Sequence, residues 1–170
     1  MPAPAGAPPG ALTPPPIISG FGDPRGAGGP SGSWRHNGID IRAPLGTSVL
    51  AAADGEVLRI GEGRASGRMV VVGHVGGLAT VYMHLSEIAV HAGQAVRRGE
   101  PVGRSGMTGN ATTPHLHFGV CGRPDGHSGS RIDAGWDDPA RHWVEGNPCY
   151  AAGHPYPPRR FTYPVPCVSW

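Results

Sequence analysis

Between residues 38 and 120 short β-branched runs alternate with glycines, and turn signals recur about 8 to 12 residues apart, which leaves no room for a long helix. Strands are expected over residues 38–42, 48–52, 55–61, 68–74, 79–84, 95–97, 101–105 and 115–121, and a single helical turn over 85–88. The expected fold is therefore all-β and antiparallel, a sandwich or partly closed barrel with little helix. Glycine (29) and proline (20) are abundant enough to suggest disorder, but the prolines avoid the centre. Seven fall within residues 1–16 and six more lie from Pro148 onward, so the irregular composition belongs to the ends.

At 170 residues the chain fits one ordinary domain. Residues 1–16 read as a Pro/Ala/Gly-rich linker or arm, 17–146 as the folded domain, and 147–170 as a Pro-rich extension packed on or near it. Of three cysteines, Cys149 and Cys167 bracket that extension, which has little apolar periodicity and gains most from a covalent clip. Their pairing is expected, with Cys121 left over; three free thiols is the other arrangement the spacing allows.

Charge excludes several classes. The formal net charge of +2 is too small for a protein that neutralises many phosphates, so no nucleic-acid partner is expected. No apolar run approaches the length of a membrane span. All 14 basic residues are arginine, so chemistry that needs a lysine amine is ruled out, including Schiff-base formation and lipoyl or biotinyl attachment.

Three short patterns carry candidate chemistry. In His115-Leu116-His117, on an expected strand, residues two apart face the same side, so both imidazoles enter one space roughly 7 Å apart along the chain. In His36-Asn37-Gly38-Ile39-Asp40 an imidazole and a carboxylate lie four residues apart, and both types ligate zinc when deprotonated. A straight strand would hold their Cα atoms about 13 Å apart, so the chain must bend, and Asn37-Gly38 is a strong turn dipeptide. The third pattern, Tyr82-Met83-His84-Leu85, places an imidazole at the end of an apolar run. Each pattern alone has an ordinary structural explanation. His74, His91, His127, His142 and His154 belong to none of them and are read as structural or solvated. Trp34, Trp136, Trp143 and Trp170 are read as core or groove wall, and the glycine-rich stretches 61–67 and 103–110 as loops beside a narrow groove.

Together, in this order, the three patterns resemble those of the lysostaphin-type zinc endopeptidases, as do the approach from Ser105 to Pro114 and the later Asp138-Pro139-Ala140-Arg141-His142-Trp143. The resemblance runs over roughly residues 19–143. The similar segments 44–57 (PLGTSVLAAADGEV) and 90–103 (VHAGQAVRRGEPVG) also resemble the duplicated motif of the barrel-sandwich hybrid fold. The family resemblance implies one zinc ion per chain held by His36, Asp40 and His117, with His84 and His115 as unligated catalytic histidines. It further implies peptidoglycan peptides as substrate, an extracytoplasmic location and a monomer. Three protein ligands would leave the fourth tetrahedral position open, as a catalytic zinc requires. Which bond is cut, and which histidine is the base, stay open. A catalytically silent wall-binding or amidase-regulating module of the same fold is the main alternative, and the five intact site residues speak against it.

Overall fold

The computed structural model describes residues 12–25, 35–122 and 135–168. Ten antiparallel strands make up the sheet system: β1 (Ile17–Ser19), β2 (Ile39–Arg42), β3 (Ser48–Leu50), β4 (Gly55–Gly63), β5 (Gly67–Gly73), β6 (Leu78–Ile88), β7 (Ala95–Val96), β8 (Pro101–Ser105), β9 (His115–Gly122) and β10 (Trp136–Asp137). A 3-10 turn follows at Pro139–Arg141. The main path runs β1-β2-β9-β6-β5-β4-β7; β10 pairs with β9, while β8 pairs with both β3 and β6. The all-β antiparallel expectation holds. The helical turn expected over 85–88 does not form, because those residues continue β6 and pair with β8, Leu85 opposite Ser105 and Ile88 opposite Gly103. The glycine-rich stretches are also less loop-like than expected. Residues 61–63 and 103–105 are strand, and only the tip at 64–66 and the segment after Ser105 turn.

The two similar segments pair with each other. Gly55 and Glu56 face Val96 and Ala95, while Val49 faces Gly103. Gly46 and Gly93, with φ of 82° and 83°, make the equivalent turns ahead of Val49 and Val96, and both valines are buried. A side chain at either glycine would be forced into the left-handed region.

Strand alternation divides the interior into two layers. Val70 and Val72 of β5, Tyr82 of β6, and Leu116, Phe118 and Val120 of β9 enter the main core. Met69, Val71, Val81 and Cys121 form a smaller cluster on the opposite face. The last residues of the chain also belong to the main core: Phe161, Tyr163 and Val165 are buried there, Thr162 N–H donates to Ala52 O at 2.9 Å, and Leu50 N–H donates to Pro164 O at 2.8 Å. Cys149 and Cys167 form a disulfide, and Cys121 is free and buried. Leu12 is buried against the same core, with Tyr163 Oη donating to Pro15 O at 2.8 Å. Trp136 and Trp143 are partly buried against the core, Trp143 stacking on Phe118 at 5.6 Å. Trp34, Trp170 and His127 lie outside the described residues.

His74 is a structural residue. Its Nδ1–H donates to Asp54 O at 2.8 Å, its Nε2 meets Thr80 Oγ1 at 2.8 Å, and Thr80 joins the Tyr82 hydroxyl at 3.0 Å. Burial lowers its pKa, outweighing the help from the Asp54 carbonyl. A histidine held neutral in the folded state stabilises fully above its unfolded pKa of about 6.5, and that stability is lost as pH falls from there towards the lower folded value. In urea melts of zinc-free protein between pH 7 and 5, stability should fall less steeply for His74→Gln than for the parent chain. Equal slopes would remove His74 from the acid response.

Candidate metal and catalytic site

Register puts the sequence-predicted residues together. β2 pairs with β9 so that Asp40 faces His117 and Arg42 faces His115, and on the other side of β9 Met83 of β6 faces His117. Because Leu116 and Phe118 point into the main core, His115 and His117 point the other way, into one groove. The backbone bends at Asn37 and Gly38 and swings His36 over Asp40, as the dipeptide leads one to expect. Glycine is needed here for space as well as for the turn. A Cβ at residue 38 would lie 2.5 Å from Phe118 O and 2.7 Å from His117 Nε2.

His36, Asp40 and His117 are all buried and bring one donor atom each to a common centre. His36 Nε2 lies 3.1 Å from Asp40 Oδ1 and 3.0 Å from His117 Nδ1, which is 3.1 Å from the same carboxylate oxygen. Four tetrahedral ligands at about 2.1 Å from zinc stand about 3.4 Å apart, so the triangle closes on such an ion with shifts of a few tenths of an ångström. Proton placement agrees. His36 Nδ1–H donates to Gly20 O at 2.7 Å, which leaves Nε2 as a lone pair aimed at the centre. Burial lowers the pKa of His117, which favours the neutral form that a metal needs. At Asp40 burial pushes the pKa up, and the Arg25 guanidinium at 2.6 Å opposes it and favours the carboxylate.

The other two histidines sit beside the triad without joining it. The His84 and His115 rings are 4.8 Å apart, and His115 Nε2 is 3.5 Å from Asp40 Oδ1. His84 Nδ1–H donates to Thr108 O and His115 Nδ1–H to Thr113 O, both at 2.8 Å. Each ring therefore turns a bare Nε2 to the groove. Burial lowers the His84 pKa to about 4, so its imidazole is neutral at ordinary pH.

The groove has a volume of about 530 Å³, and Ile18, Ser19, Ala65, Ser66 and Asn110 line it along with the histidines. Sequence reasoning missed Arg25. Its guanidinium donates to Asp40 Oδ2 at 2.6 Å and to Ser19 Oγ at 3.0 Å, which fixes the carboxylate with Oδ1 turned to the centre. An arginine just ahead of a glycine-rich stretch carries no sequence signal for such a contact. The Gly20, Thr108 and Thr113 carbonyls are likewise invisible in sequence, because any residue supplies one. Of the remaining histidines, His91 and His154 are exposed, and His142 is paired with Asp137 at 2.9 Å.

The profile of peptidase family M23 matches residues 34–133. Over 91 residues, 52% of this chain and 21% of the relative, the sequence is 45% identical to the peptidoglycan DD-endopeptidase ShyA of Vibrio cholerae. The chain thus spans about a fifth of that relative's length. Among solved structures, the catalytic domain of the antimicrobial peptidase lysostaphin from Staphylococcus simulans superposes with a TM-score of 0.61 at 31% identity, covering 72% of this chain and 86% of that one. A zinc-containing peptidase from Vibrio cholerae superposes with a TM-score of 0.59 at 37% identity, covering 64% and 34%.

Replacing Gly38 by Ala should force β2 and β9 apart at the triad. The expected result is a loss of about 1–3 kcal/mol of stability together with zinc affinity weakened at least about tenfold, read by denaturation and by competition with a chelating dye. Unchanged zinc affinity would show that the close approach at residue 38 does not set the triad.

Proposed function

Because this chain belongs to peptidase family M23, we propose that it is a zinc-dependent endopeptidase that hydrolyses peptide bonds in the stem or cross-bridge peptides of bacterial peptidoglycan. The observation that carries this reading is the meeting of three converging metal donors with two further imidazoles, each held at Nδ1 by a backbone carbonyl and turning Nε2 to the same groove. His36 Nε2, Asp40 Oδ1 and His117 Nδ1 would hold one zinc ion per chain. A bound zinc ion would supply Lewis acidity, which polarises a carbonyl and lowers the pKa of water towards about 7.

The chain's own residues handle the proton. In the neutral state the Nε2 atoms of His84 and His115 can only accept, so both orient the attacking water through its hydrogens. Whichever ring takes the proton becomes a donor and can return it to the leaving amine. His115 stands nearer the triad, with its Nε2 3.5 Å from Asp40 Oδ1. The Thr113 carbonyl keeps that ring's other nitrogen occupied throughout. All five side chains come from one copy, so a monomer suffices for the proposed chemistry. The Cys149–Cys167 disulfide fits an oxidising compartment, and the proposed site of action is extracytoplasmic.

This division of labour predicts a separation of metal and activity. His115→Ala should keep its zinc while turnover drops by about 10²–10⁴-fold; Asp40→Ala and His117→Ala should lose both. Metal analysis and release of new amines from purified peptidoglycan read the two quantities. A fully active His115→Ala protein would end the role assigned to that residue. Digestion of peptidoglycans of differing cross-link chemistry, with and without chelator, should yield new termini only without chelator, and mass spectrometry of those termini identifies the bond. If no peptidoglycan yields termini, the hydrolase reading fails and a silent wall-binding module takes its place.

A further inference from the structure

Strand β6 changes partner at His84. Up to Met83 it pairs with β9, and from Leu85 it pairs with β8. On its other edge the register with β5 slips at the same place: Arg68 faces Leu85 and Val70 faces Tyr82, so two residues of β6 stand against one of β5. The corner leaves His84 with φ of 62°, the only non-glycine residue at positive φ among the described residues. That conformation is unfavourable for a residue with a Cβ and persists only where surrounding contacts impose it.

Thr108 supplies those contacts. Its carbonyl accepts from His84 Nδ1–H at 2.8 Å, while its Oγ1 donates to Leu85 O at 2.8 Å and accepts from Arg68 N–H at 3.0 Å. One residue thus ties the corner of β6, the start of β5 and the imidazole together. Two glycines make room for it. A Cβ at Gly67 would lie 2.3 Å from Thr108 Oγ1, and a Cβ at Gly109 would lie 2.4 Å from Ala65 O. Asn110 N–H to Ala65 O (3.0 Å) and His84 N–H to Ser66 O (2.9 Å) complete the seam. His115 differs in this respect, since its Nδ1 is held by the carbonyl of Thr113, two residues away on its own chain segment. His84 depends on a loop pinned by the Thr108 hydroxyl, with the Asn110–Ala65 hydrogen bond beside it.

We propose that Thr108 is a positioning residue for the reaction: its side-chain hydroxyl bridges β5 and β6 so that its own carbonyl locks His84 as the Nδ1–H tautomer, with Nε2 free towards the groove. If the loop drifts, the ring proton can move to Nε2, and a ring in that tautomer cannot accept a proton from water. The proposal rests on His84 being catalytic, as put forward above.

The test uses the zinc-loaded chain with Thr108→Val, which keeps the shape without the hydroxyl, and Thr108→Ser, which keeps the hydroxyl. Kinetics on a soluble cross-linked muropeptide, zinc content, thermal melting and long-range ¹H–¹⁵N spectra of the imidazoles are read for each, with His84→Ala as reference. Thr108→Val is expected to keep its zinc and a cooperative melt, to lose about 10–100-fold in kcat with KM unchanged, and to show mixed His84 tautomers. Thr108→Ser is expected to restore both kcat and the single Nδ1–H tautomer. Parent-level kcat in Thr108→Val overturns the proposal, as does an intact His84 tautomer. Loss of zinc or of cooperative melting in Thr108→Val also overturns it, because Thr108 is then merely architectural. If His84→Ala is itself fully active, the catalytic reading of His84 is what fails; if His84→Ala is inactive and Thr108→Val is not impaired, only the role of Thr108 falls.

Discussion

The site depends on one electrostatic conflict. A carboxylate oxygen and two imidazole nitrogens are held about 3 Å apart in a buried place, and the lone pair of His36 is committed to that centre by the proton on its other nitrogen. Such a cluster repels itself unless a proton or a cation stands between its members. The pairing of β2 with β9 supplies the restraint. Asp40 and His117 are cross-strand partners in the middle of a sheet whose other face is packed with Ile39, Ile41, Leu116 and Phe118. The apolar core on one face therefore maintains the unfavourable contact on the other, and a divalent cation relieves it.

Around that centre the protein spends backbone carbonyls rather than side chains to set proton positions. Gly20, Thr108 and Thr113 each accept from the Nδ1–H of one histidine, so three Nε2 atoms face the site unprotonated. In the proposed mechanism the same device serves a metal ligand at His36 and proton acceptors at His84 and His115. What separates the two roles is distance from the shared carboxylate oxygen. His36 and His117 stand 3.1 Å from Asp40 Oδ1, whereas His115 stands 3.5 Å away and the His84 ring lies beside that of His115, 4.8 Å between centroids. A lysine or arginine in either outer position could not alternate between accepting and donating near neutral pH.

Glycine fixes how closely the elements approach. At Gly38 the absence of a Cβ lets β2 close on His117, and at Gly67 it lets the β4–β5 hairpin close on Thr108. Both sites were read in the sequence as turn or loop glycines. The structure adds a steric requirement that composition does not reveal, since clearance depends on what stands opposite.

The sequence by itself determined the all-β class, the strand periodicity that puts His115 and His117 on one face, the bend between His36 and Asp40, and the set of residues able to bind a metal. Those properties are local: they follow from period-two alternation, turn chemistry and donor types within a few residues. The tertiary structure alone decided that β6 runs on through residues 85–88 instead of making a helical turn, because the unpaired edge of β8 offers backbone partners that an isolated segment lacks. It also decided that Arg25 reaches Asp40, that the tail from Cys149 to Cys167 joins the main core, and that His84 sits at a strained corner facing Thr108. Each of these contacts joins residues far apart in the chain. Register and packing of the whole sheet select them, and no short window of sequence contains that information.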